Sequence, residues 1–211
     1  MEMRGNSILL SILLAVLVGA PCANAGLDVD PDAMPDGQGG FWRGIVEFAD
    51  TSGVLIARAD YAVFLPGSYS GSAAVPNNHY VYAYQIYNTD ETSLITFTVG
   101  LMDGSNAAAV GNGTDPFYGD LGGTDPLMAL VLPGTFNVTF LSPQLQPNNH
   151  SVVVLFTSPY APMYTDASVI GGGPSWQSYG MPTPIPEPAS LSIFLSLVGL
   201  AALRRQYKEK V

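Results

Sequence analysis

The sequence predicts an all-β domain built as an antiparallel β-sandwich. Three observations predict it: apolar residues alternate with polar ones along several short segments, Gly-, Pro- and Asn-rich turns separate them, and no 3.6-residue apolar period of useful length competes. In 41–50, Trp42, Val46 and Phe48 share one face while Arg43 and Glu47 take the other. In 54–65, Leu55, Ala57, Ala59, Tyr61, Val63 and Leu65 are apolar, with Arg58 and Asp60 opposite. Ile95, Phe97, Val99 and Leu101 alternate with Thr96 and Thr98, and Phe136, Val138 and Phe140 alternate with Asn137 and Thr139. Each is the period-two signature of a strand with one buried face. Segments 80–87 and 152–156 are apolar on both faces and read as central strands. With 127–132 this makes about seven strands, for which an immunoglobulin-like arrangement is the candidate topology.

The two ends of the 211-residue chain have a different character. Arg4 precedes an apolar run from Ile8 to Val18, Gly19-Ala20-Pro21 breaks it, and Ala23-Asn24-Ala25 supplies small residues at −3 and −1. An apolar run of about 11 residues is too short for a permanent span and follows the layout of a secretory signal peptide. Residues 1–25 are therefore expected to be removed by signal peptidase after passage through the secretion machinery, leaving Gly26 as the new N-terminus. The single cysteine, Cys22, lies within this signal. Pro21 before it argues against lipidation, and the mature domain has no thiol for a disulfide, a zinc site or a nucleophile.

At the other end, Pro186-Glu187-Pro188 precedes the uncharged segment 189–203, and a basic end follows at 204–210, opening with Arg204-Arg205. As a helix the fifteen apolar-segment residues reach about 22 Å, short of a typical span. The basic end is expected to stay on the cytoplasmic side. This tail, 186–211, resembles the PEP-CTERM sorting signal, a family also labelled "ice-binding protein C-terminal domain". Pro186, Glu187, Pro188, Arg204 and Arg205 match its pattern of a Pro-Glu-Pro signature, a short apolar helix and an Arg-rich end, although the six residues after Arg205 extend beyond the usual end. The resemblance implies recognition and processing by an exosortase, a membrane-embedded transpeptidase, in hosts that make extracellular polysaccharide. It implies an address and says nothing of ice. The expected fold is thus a β-sandwich flanked by a signal peptide and a short C-terminal transmembrane helix, held transiently in the inner membrane before it reaches the cell surface or the medium.

Between these ends, 26–40 (four Asp, two Pro, four Gly) reads as an acidic flexible lead-in, 41–170 as the sandwich, and 171–185 as a Gly/Pro linker. From Gly26 to Glu187 there are fifteen acidic residues and two basic ones, Arg43 and Arg58. Such a surface repels phosphate backbones, which excludes nucleic acid as a partner.

No catalytic constellation stands out. There is no Gly-x-Ser-x-Gly, and the only histidines, His79 and His150, sit in identical Pro-Asn-Asn-His turns that read as strand entries. Glu47 and Glu91, the only Glu within 41–170, carry no mark of a glycosidase pair. Asp28, Asp30 and Asp32 alternate as in a calcium loop. Yet Ala33 stands where that loop needs Gly and Gly39 where it needs a bidentate Glu, so the stretch reads as solvated linker. Asp115, Asp120 and Asp125, within a repeated Gly-Thr-Asp-Pro segment, are the weak calcium candidates, for which Asx turns are the simpler account. No cofactor or metal is assigned. The expected function is that of a non-enzymatic surface or matrix protein associated with exopolysaccharide. The alternatives are a carbohydrate-binding module that stacks sugars on Tyr80, Tyr82 and Tyr84, although such a face is more often core with its phenol oxygens reaching the rim, and a secreted hydrolase.

Overall fold

The structure, a computed structural model, describes residues 26–186. Ala23, Ala25, Glu187, Pro188, Arg204, Arg205 and the whole 189–203 segment lie outside the described residues. Among the described residues no helix is long and apolar enough to cross a membrane.

Two five-stranded antiparallel sheets pack face to face. The first contains, in spatial order, β1 (Arg43–Ala49), β2 (Leu55–Phe64), β3 (Tyr80–Asn88), β8 (Val153–Ser158) and β5 (Ala108–Gly113). The second contains β10 (Ser175–Pro184), β9 (Pro162–Ile170), β4 (Thr96–Gly100), β7 (Thr135–Thr139) and β6 (Met128–Leu132). The alternation read from sequence sets the inner faces: Val46 and Phe48, the odd positions 57–63, Phe97 and Val99, and Phe136 and Val138 all join one core. Its centre is aromatic. Phe156 stacks on Tyr82 at 4.7 Å between ring centroids, and Phe136 of the opposite sheet meets Phe156 at 4.9 Å. Burying one such ring is worth about 1.5–3 kcal/mol, so this seam contributes strongly to holding the sheets together. β3 and β8 are interior strands, as residues apolar on both faces require.

The outer face of the first sheet is covered as well. Ala62, Phe64, Val81, Ala83, Val153 and Leu155 form a second apolar cluster, closed over by Leu27, Ala33 and residues of the loops that carry Tyr69 and Leu121. The acidic stretch 26–40 is therefore part of the fold, where a flexible lead-in was expected. Leu27–Val29 forms a turn of 3-10 helix, and Leu27 and Ala33 are buried. Arg43 donates to the carbonyls of Val29 and Asp30. Met34 N–H bonds Val63 O at 2.7 Å, and Trp42 N–H bonds Met34 O at 2.7 Å. Two apolar side chains and one cation suffice to seat a stretch that composition marks as solvated.

The expected linker 171–185 is corrected in the same way, because it contains β10. Pro182 and Pro184 disguise it, yet proline is tolerated on an edge strand, and β10 is the edge of its sheet. A one-residue bulge between Tyr179 and Met181, with Gly180 at φ +112°, shifts the side-chain parity. Met181 then enters the core while Tyr179 stands in solvent, 68% exposed.

Candidate functional site: an aromatic groove at the sandwich edge

Edge strands β1 and β10 run beside each other across the two sheets, and a groove of about 520 Å³ opens next to them. Its aromatic side chains are Trp42, which precedes β1, Tyr164 of β9 and Tyr179 of β10. Trp42 packs on the core and meets the Tyr164 ring at 4.6 Å between centroids. Tyr179 is anchored through its hydroxyl, which donates to Tyr164 O at 3.3 Å. Asp36 and Gln38 supply polar groups on the same groove. Their turn is held by Oδ1 of Asp36, which accepts the N–H groups of Gln38 (2.7 Å) and Gly40 (2.9 Å). Exposed ring faces beside a carboxylate and an amide suit the alternating C–H faces and hydroxyls of a sugar.

This is not the platform that the sequence offers as an alternative, Tyr80, Tyr82 and Tyr84, a face that more often packs in a core. Tyr82 and Tyr84 are fully buried, donating to Tyr160 O (2.8 Å) and Pro182 O (2.6 Å), and so present no face to a ligand. Tyr164 and Tyr179 were not singled out. No period-two apolar signal in the sequence marks them: Tyr164 and Asp166 are exposed positions of β9, and Gln177 and Tyr179 exposed positions of β10.

The remaining candidates are dispersed. His79 precedes β3 and lies 3.3 Å from Thr157 Oγ1, whereas His150 bridges Tyr87 near the other end of the strand. At a rise of roughly 3.3 Å per residue they are about 26 Å apart and share no site. Glu47 is exposed on edge strand β1, and Glu91 is exposed in the loop after β3. Asp115, Asp120 and Asp125 each serve local structure. Asp115 Oδ1 accepts N–H groups of Phe117 and Tyr118, Asp120 Oδ1 that of Gly122, and Asp125 Oδ1 the Asn112 side-chain amide. Among the described residues no three His, Cys, Asp or Glu side chains are grouped to hold a metal.

A buried acidic cluster lies apart from the groove, beneath the seated 26–33 segment. Asp30 and Asp60 are fully buried and Asp115 nearly so. Burial, aided by the charge of Asp115, pushes the Asp30 carboxyl up to about 6, against the pull of the Asp32 N–H. Burial pushes Asp60 up to about 7, with Arg58 opposing and the Asp28 charge reinforcing the rise. Asp60 Oδ2 pairs with Arg58 Nη2 at 3.3 Å, and Arg58 lies 4.4 Å above the Tyr87 ring. One oxygen each of Asp28, Asp30, Asp60 and Asp115 is buried without a hydrogen-bond partner among the described residues. Sequence showed the alternation of Asp28 and Asp30 but not that Asp30 is buried and Asp28 half-buried, because the covering contacts are long-range.

No protein-family model, no curated protein and no solved structure matches this chain.

Proposed function

We propose that the chain is an exported, PEP-CTERM-sorted surface or matrix protein, non-enzymatic, that holds neutral extracellular polysaccharide along its aromatic groove. The observation that carries the binding reading is the juxtaposition of Trp42, Tyr164 and Tyr179 with Asp36 and Gln38 in one open groove. The acidic surface, with two basic residues from Gly26 to Glu187, disfavours polyanions and leaves neutral sugar chains as the fitting class. The sorting reading rests on Pro186-Glu187-Pro188, the short apolar segment and Arg204-Arg205, together with the N-terminal signal. Signal peptidase, exosortase and, transiently, the inner membrane are its partners in that reading.

The immunoglobulin-like reading of the sandwich draws support from strand order. β2-β3-β8-β5 faces β10-β9-β4-β7-β6, the spatial order of an A-B-E-D sheet against a G-F-C-C′-C″ sheet. The departure is that β5, β6 and β7 run between β4 and β8 in the reverse of the usual chain order.

The test is retention of the protein, purified from an exosortase-positive host with a tag encoded after Val211, on immobilised neutral polysaccharide. Retention and loss of the tag are expected. A chain that passes unretained contradicts the binding reading, and a chain that keeps its tag contradicts the sorting reading.

A further inference from the structure

Gly26 is buried beside the Asp28–Asp60 pair. A Cβ built on it would lie 3.0 Å from Asp28 Oδ1, 3.3 Å from Asp60 Oδ2 and 3.8 Å from the Tyr87 hydroxyl. Those are ion-pair distances, and they describe a point one bond from Cα. In a chain that begins at Gly26, a rotation of about a third of a turn around the Cα–C bond brings the amine to that point, since the four substituents of Cα are tetrahedral and Cα–N is about 1.46 Å. Glycine alone has no side chain to obstruct the swing. The pair has one side-chain cation for two carboxylates: Arg58 Nη2 lies 3.3 Å from Asp60 Oδ2, while Asp28 Oδ1 and Asp60 Oδ1 have no hydrogen-bond partner among the described residues. Two carboxylates that share one cation are short of counter-charge, the more so where one of them is buried, and an ammonium between them supplies it.

We infer that the Asp28–Asp60 pair is a binding site for an α-ammonium group, and that its ligand is the terminal amine that cleavage before Gly26 creates. The inference rests on the signal-peptide reading. Before cleavage the nitrogen is a neutral amide tied to Ala25; afterwards it is a cation free to turn inward. Processing then does more than release the chain, because it supplies the charge that fastens 26–33 over the outer face of the first sheet.

The test compares chain 26–211 in detergent in three forms: with Gly26 free, with Gly26 acetylated, and with Ser-Ala placed before Gly26. The free form is expected to melt higher than both others by about 5 °C, and its α-amine to titrate well above the ordinary value of about 8. Asp60→Asn is expected to abolish the difference between the forms. Equal melting of all three, or an α-amine with an ordinary titration, overturns the inference; the latter reading stands even where the Asp60→Asn chain fails to fold. Calcium that raises the melting of all three forms alike, with no difference between them, assigns the pair to a metal and also overturns it. N-terminal sequencing of protein exported by the native host checks the cleavage separately. A start other than Gly26 refutes the signal reading whatever the melting comparison gives.

Discussion

The hydroxyl of Tyr84, in the middle of the first sheet, crosses the core and donates a 2.6 Å hydrogen bond to the carbonyl of Pro182 on the edge strand of the second. It joins the central strand of the first sheet to a segment that composition assigns to a linker. Tyr84→Phe keeps the ring contacts and leaves a buried carbonyl unpaired. We expect a loss of about 1–2 kcal/mol and a fall in Tm of about 3–6 °C, read by circular dichroism. An unchanged Tm means that β10 is not held by this bond.

Stability should depend on pH in the direction opposite to that of an ordinary acidic protein. Asp60 is raised in the folded state from 3.8 to about 7, facing Arg58, Asp28 and Tyr87, and Asp30 is raised to about 6, facing Asp115 and Asp32. Between pH 4 and 7 the folded state therefore binds more protons than the unfolded chain, so stability falls as pH rises through that window. For a chain extended before Gly26 the fall is on the order of a few kcal/mol, and Asp60→Asn reduces it to the part that Asp30 contributes. Denaturant melts at pH 5 and pH 8 measure this, and greater stability at pH 8 contradicts it.

Replacing Pro186, Glu187 and Pro188 by alanine should leave export intact and trap the full-length chain in the inner membrane. In the sorting reading, prolines at 186 and 188 disfavour continuation of a helix from the apolar segment. Fractionation with an antibody to 41–170 and a tag after Val211 reads the outcome. Equal release of the altered and unaltered chains removes the motif from processing.

β4 and β7 were legible because one buried face leaves a period of two in the sequence, and β2 because Arg58 and Asp60 interrupt its second face although that face is buried as well. β5, β9 and β10 were not. Gly111 and Gly180 sit at register shifts that break the period, and Pro182 and Pro184 mimic a linker. The groove was half legible: Trp42 falls on a recognisable strand face, but Tyr179 comes from a strand hidden by those irregularities and Tyr164 from one that exposes apolar side chains, Tyr164 and Ile170, and so blurs the period. Seating of 26–33 was invisible, since Leu27 and Ala33 find their partners on strands that begin well beyond them in the chain.

The groove is the centre of the account, and Tyr179 offers the cleanest probe of it because the side chain is 68% exposed and contributes little to packing. The decisive measurement is affinity electrophoresis of the processed chain in gels containing neutral polysaccharide from its host, comparing the unaltered protein with Tyr179→Ala and Tyr164→Ala. The account predicts retardation of the unaltered protein and a loss of affinity of about tenfold or more in each variant, as removal of roughly 1.4 kcal/mol of contact requires, with Tm nearly unchanged for Tyr179→Ala. Variants retarded as strongly as the unaltered protein, or no retardation of any of them, would contradict it.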